Sequence, residues 1–188
     1  MKWQGFAPVL ALAAVAGCGA KQDGSIPAKE DAAVENATLT KLAVTSDAFE
    51  DGEPIPAQYT CDGAGQSPAL AWGEPPPGTK SFALIVDDPD APSGLFRHWG
   101  AYDIPGSARS IGDGQVVGNQ AVNGFGESGY GGPCPPTGHG PHHYHFKLYA
   151  LDVAELGLPA NPKVEQVESD AQKHVIAQGE LVGTYERK

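Results

Sequence analysis

The chain is short of positive charge. Its 188 residues carry 12 Lys and Arg against 23 Asp and Glu, a formal net charge of −11. No dense Lys/Arg cluster occurs. Neutralising phosphates along a polymer, or adhering to anionic lipid, requires such a surface, so non-specific nucleic-acid binding and electrostatic membrane adhesion are excluded. The apolar run Phe6–Ala16 is too short to span a bilayer. No Gly-x-Ser-x-Gly elbow appears, and no nucleophile has an evident base beside it in sequence. There is no internal repeat. Between Lys41 and Leu151 no helical period is found. A parallel α/β sheet needs a crossover helix between its strands, so that class is excluded as well.

Cysteine is scarce, at three, and the position of the first is informative. Met1 and Lys2 give a short positive start, Phe6–Ala16 has the length of a signal h-region, and Val15-Ala16-Gly17-Cys18 follows. Small residues before a cysteine at this place resemble the bacterial lipobox. The resemblance implies a signal segment at 1–17, cleavage before Cys18 and a diacylglycerol on its thiol. The chain is then exported and anchored to a membrane facing the periplasm or the cell exterior. Gly19, rather than Asp, permits outer-membrane delivery in a cell that has one. With Lys2 removed, 11 basic residues face 23 acidic ones, so the charge becomes −12. Residues 18–40 are polar and small and read as a flexible tether. Residues 41–188 suffice for one domain with a full core. The other cysteines, Cys61 and Cys134, lie in Gly-rich loops. An exported compartment favours oxidation, so they are candidates for a disulfide, with two reduced buried thiols as the alternative.

The domain reads as short strands between Gly/Pro turns. Leu42–Ala48 is the first expected strand and Ala69–Trp72 the second. Lys80–Val86 is the clearest, with Phe82, Leu84 and Val86 on one face and Ala83 and Ile85 on the other. Apolar residues on both faces predict a central strand covered twice. Phe96–Ile104 follows, stopped by Pro105-Gly106. Ser107–Gly118 reads as a loop, and Gly118–Gly132 shows neither helix nor strand. His142–Leu151 alternates strictly. Val164–Gln178 is the one expected helix, with Gly179 as its terminator, and Glu180–Tyr185 closes the chain as a strand. The sum is a mainly antiparallel β-sandwich with one late helix and long Gly/Pro-rich loops.

Three polar clusters fall at strand ends or beside rigid loops. Asp88-Pro89-Asp90-Ala91-Pro92 follows the central strand. Arg97-His98-Trp99 opens the next. Pro135-Pro136 precedes His142 and Tyr144. Strand parity puts His142 and Tyr144 on the same face as Phe146 and Leu148, and His143 and His145 on the other. The carboxylates can hold the imidazoles of His98 or His142 in one orientation and favour their charged form. Two histidines and a phenol then grip an anion, between walls of proline. Parity also argues against zinc, because His142 points away from His143 and His145 and no Cys or carboxylate lies in the adjacent segment. His139, His143 and His145 read as surface or loop groups.

These clusters, with Tyr102, Gly129-Tyr130-Gly131-Gly132-Pro133-Cys134-Pro135-Pro136, Tyr59-Thr60-Cys61-Asp62-Gly63 and Ser67-Pro68…Trp72, resemble the phosphatidylethanolamine-binding protein family, and within it the bacterial Raf kinase inhibitor-like branch. The resemblance runs from about Leu42 to Tyr185. It implies a β-sandwich whose small pocket binds an anion such as phosphate or a phospholipid headgroup. It assigns Asp88, Asp90, Pro92, His98, Pro136, His142 and Tyr144 to that pocket, with no metal and no cofactor. His143 stands where the family usually has Arg, a change expected at the rim. An envelope protein partner, for instance a protease that the chain inhibits, is an alternative. A minor hydrolase activity of the Asp/His pocket is another.

Overall fold

A computed structural model describes residues 39–188. The signal segment 1–17, Cys18 and the tether as far as residue 38 lie outside the described residues. The chain enters through two short strands, β1 (Thr40–Lys41) and β2 (Val44–Thr45). A single 3₁₀ turn, Ala57–Tyr59, precedes β3 (Leu70–Trp72). The two long central strands are β4 (Ser81–Asp88) and β5 (Phe96–Pro105). Two further short strands, β6 (Ser110–Ile111) and β7 (Asn119–Gln120), lie within the segments read as loop. Strand β8 (His142–Leu151), helix α1 (Val164–Ala171) and strand β9 (Val175–Tyr185) complete the order.

Six strands form one sheet in the order β1-β9-β8-β4-β5-β7, and three form a second in the order β2-β3-β6. Every pairing is antiparallel except β1 with β9. Strand β4 is buried along its whole length. Phe82, Leu84 and Val86 face the small sheet and pack in one core with Leu70, Trp72, Ile111, Phe146 and Leu148. Ala83 and Ile85 face the other way, beneath Val164, Val167 and Ala171 of α1. The expected double covering is therefore real, with sheet on one side and helix on the other. Each large apolar side chain so buried contributes roughly 1.5–3 kcal/mol.

The helix-side face also buries a charge. Asp87 is 1% exposed and receives Arg97 at 2.7 Å and Lys147 at 2.9 Å; Arg97 reaches on to Glu168 of α1. Two cations on one carboxylate offset its desolvation and tie β4, β5, β8 and α1 together.

Besides β6 and β7, which fall where the sequence showed no strand, two elements differ from the sequence expectation. The expected first strand, Leu42–Ala48, is instead a crossing between the sheets. Thr40–Lys41 pairs with β9, and Val44–Thr45 pairs with β3. The expected helix Val164–Gln178 stops at Ala171, and Val175 and Ile176 belong to β9. Ladder pairing along almost the whole of β8 outweighs the helical spacing of those residues. Gly179 is accordingly no helix terminator. It sits in mid-strand opposite Leu148, where a Cβ would lie 2.4 Å from the Leu42 carbonyl oxygen. Glycine is needed there because the entering chain crosses directly over it.

Candidate functional site

Antiparallel pairing brings the end of β4 beside the starts of β5 and β8. Asp88 is opposite Phe96, and Asp87 is opposite both Arg97 and His145. The three polar clusters thus meet at one end of the large sheet. Alternation in β8 turns His142 and Tyr144 inward, at 2% and 0% exposure, and leaves His143 exposed.

Asp88, itself 3% exposed, is the anchor. Its Oδ2 accepts the His142 Nδ1–H at 2.7 Å, and its Oδ1 accepts the Asp90 backbone N–H at 2.8 Å. The first bond orients the imidazole, and the second closes the turn after β4. His142 Nε2 lies 2.7 Å from Nδ1 of His139. A chain Asp88–His142–His139 therefore runs from a buried carboxylate to an exposed imidazole.

His98 follows a different plan from the one expected. It does not pair with a carboxylate. Its Nδ1–H donates to the Gly131 carbonyl at 2.7 Å, while the Gly131 N–H returns a bond of 2.8 Å to the His98 carbonyl. Because a carbonyl can only accept, the proton sits on Nδ1 and Nε2 is left without a hydrogen bond among the described residues. The ring packs among Phe96, Phe125 and Tyr144, with centroids 5.0, 5.5 and 5.2 Å away. Burial holds its pKa below the ordinary histidine value, against the opposing pull of the Gly131 carbonyl and Asp88. The structure thus favours a neutral His98, where the sequence suggested a charged one.

Tyr144 completes the group. Its hydroxyl is buried and, among the described residues, makes no hydrogen bond of normal length and angle, although the Asp88 carboxylate lies near it. Burial, then the charge of nearby Asp88, pushes its pKa far up, so it keeps its proton and can only act as a donor or a neutral acceptor.

The remaining expected residues stand farther out. Asp90 is not part of the buried group. Its Oδ2 accepts both the His143 backbone N–H at 2.9 Å and the His143 ring N–H at 2.7 Å. Those bonds, the ring first, hold the Asp90 carboxyl below its usual pKa. Pro92 and Pro136 are exposed and form no buried wall; Pro133 and Pro135 are the buried prolines of the loop. His143 in the usual Arg position is thus a rim residue held by Asp90.

The loop that carries Gly131 and His139 is fastened from below. Cys61 and Cys134 form a disulfide with Cα atoms 5.4 Å apart. The Tyr130 hydroxyl donates to the Tyr59 carbonyl at 2.9 Å, and the Cys61 N–H to the Pro133 carbonyl at 3.0 Å. Gly132 passes so close that a Cβ would lie 2.8 Å from the Tyr59 oxygen. His139, Gly131 and Phe125 were not legible as site residues, because parity arguments stop where a strand stops.

Two cavities lie elsewhere. One, of about 450 Å³, is lined by Lys41, Lys147, Tyr149 and Glu180. Another, of about 220 Å³, lies beside Trp99, Gln120 and Tyr130. Neither includes Asp88, His98 or His142, and the buried polar group at the end of β4 is the stronger candidate because it joins an unpaired buried donor, one of two among the described residues with Trp72 Nε1, to two histidines and a carboxylate. Among the described residues, no three His, Cys, Asp or Glu side chains converge as a metal site.

The family model described as phosphatidylethanolamine-binding protein matches residues 45–186. The chain belongs to the phosphatidylethanolamine-binding protein family. Its relatives within that family include a UPF0098 protein of Aquifex aeolicus, 48% identical over 78% of this chain and 89% of the relative. A Mycobacterium tuberculosis protein provisionally named lipoprotein LppC is 40% identical over 97% of this chain and 93% of its own. Among solved structures, the Chlamydia trachomatis family homologue CT736 aligns with a TM-score of 0.73 at 40% identity, over 79% of this chain and 99% of its own. Escherichia coli YbcL, described as a new member of the mammalian PEBP family, gives 0.74 at 34% identity, over 78% and 99%.

Proposed function

We propose that this chain is an exported lipoprotein whose domain binds a small phosphate-class anion, free or as a phospholipid headgroup, at the Asp88–His98–His142–Tyr144 cluster. The observation that carries the reading is the Tyr144 hydroxyl. A buried donor with nothing to receive its proton costs about 1–3 kcal/mol, and a ligand oxygen recovers that cost. His98 offers Nε2 beside it, either to accept a proton from a protonated phosphate oxygen or to take up a proton and donate. Both oxygens of Asp88 are engaged, one by His142 and one by the Asp90 N–H, so its charge is partly offset before an anion arrives. Binding is favoured over hydrolysis for a structural reason. Among the described residues no Ser, Thr or Cys side chain is hydrogen-bonded to His98, His139 or His142, and Cys134 is tied in its disulfide. The lipoprotein part rests on Val15-Ala16-Gly17-Cys18 and on the name of LppC, which aligns along nearly the whole chain.

Calorimetry with inorganic phosphate and with phosphoethanolamine, alongside flotation on phosphatidylethanolamine vesicles, tests the reading. Saturable binding of the soluble anions without product release is expected. Binding to the vesicles but to neither soluble anion would assign the site to intact lipid. No binding to any of the three, or steady hydrolysis of a phosphoester lost in His142→Ala, would overturn it.

A further inference from the structure

Both ring nitrogens of His142 are taken. Asp88 holds Nδ1 from inside, and His139 holds Nε2 from the solvent side at 2.7 Å. The nitrogen that would face an incoming anion is therefore covered by a side chain of the same molecule. We infer that His139 is an internal competitor for the anion site: its ring closes His142 Nε2, and a phosphate-class anion displaces it on binding. This rests on the anion-site reading above and adds its regulation.

The surroundings of His139 are those of a movable group. His139 is exposed, whereas His142 is 2% exposed. It ends a tight turn in which its N–H donates to the Pro136 carbonyl at 3.1 Å. Its neighbours Gly138 and Gly140 have φ of +76° and +91°, and a Cβ at either would meet nothing within 4 Å. Those glycines serve backbone conformation, not close packing, so the turn is not wedged against other segments at either neighbour of His139. Swinging the ring out breaks one hydrogen bond and one edge contact, with centroids 5.0 Å apart, and unpacks no core residue.

With Asp88 accepting from Nδ1, His142 presents a bare Nε2, and His139 donates its Nδ1–H to it. An anion oxygen can reach that nitrogen only after the His139 ring has left it.

The test compares wild type with His139→Ala by calorimetry with inorganic phosphate at about pH 8, above the ordinary histidine range. His139→Ala should bind about three- to tenfold more tightly, the equivalent of one net hydrogen bond. Equal phosphate affinity of the two proteins would overturn the competitor while leaving the anion site standing. Failure of both proteins to bind phosphate would overturn the competitor for the free anion and, where neither protein floats with phosphatidylethanolamine vesicles, the anion site with it.

Discussion

The Tyr144 hydroxyl is a donor held out of water with no well-placed acceptor for its proton among the described residues. Tyr144→Phe should therefore leave the ligand-free domain as stable as before, or more stable by about 1 kcal/mol, in urea unfolding. Phosphate affinity should fall about five- to tenfold in the same variant, and unchanged affinity would remove Tyr144 from the site. His98 gives a pH dependence whose sign follows from its depressed pKa. The unfolded chain takes up the proton first, so His98 contributes full stability above about pH 6.5 and loses it as the pH falls below that value. The melting temperature of His98→Gln should drop less steeply than that of wild type between about pH 7 and pH 5. Equal slopes would show that other groups carry the acid loss. At this scale the sequence was informative wherever a side chain's direction followed from strand parity, as for His142, Tyr144 and His143. It was uninformative for hydrogen-bond partners. That His98 pairs with Gly131, and Asp90 with His143, depends on where a loop lies, and no local period encodes that.

Elements were legible when one local pattern dominated. Strands β4 and β8 were visible because every second residue is apolar over a long run, and burial on both faces of β4 was visible because its alternate residues are apolar too. The helix was misjudged at its end for the same reason. Val175 and Ile176 continue a helical stripe from Val164 and Val167, yet pairing of β9 with β8 claims them. Gly179 shows which influence prevailed. Gly179→Ala would press a Cβ against the Leu42 carbonyl at 2.4 Å and Val44 Cγ2 at 2.7 Å. It should cost about 1–3 kcal/mol in urea unfolding. Gly73→Ala, where a Cβ meets nothing within 4 Å, is the matched control and should be close to neutral. A similar small effect in both would mean that the entering segment does not bear on β9.

For the molecule as a whole, the Cys61–Cys134 disulfide joins residues 73 apart and pins the site loop to the 3₁₀ turn region. In the chain-entropy picture a closed loop of that length is worth about 4 kcal/mol. The double variant Cys61→Ser/Cys134→Ser should lose most of that in equilibrium unfolding, and a loss under about 1 kcal/mol would show that the loop is held without the bridge. On the proposed lipoprotein reading, Cys18→Ser should move the protein from the detergent phase to the aqueous phase on phase partitioning, and retention in detergent would contradict a lipid anchor at Cys18. The sequence by itself determined the class of the domain, its central strands and which polar clusters would be drawn together. Those follow from side-chain period and turn chemistry, which act over a few residues. The tertiary structure alone decided that β9 reaches back to Val175, that His98 is neutral and bound to Gly131, and that His139 covers His142. Each of these is a contact between segments far apart in the chain or across a loop, where packing and hydrogen-bond satisfaction choose among arrangements that the local pattern leaves equal.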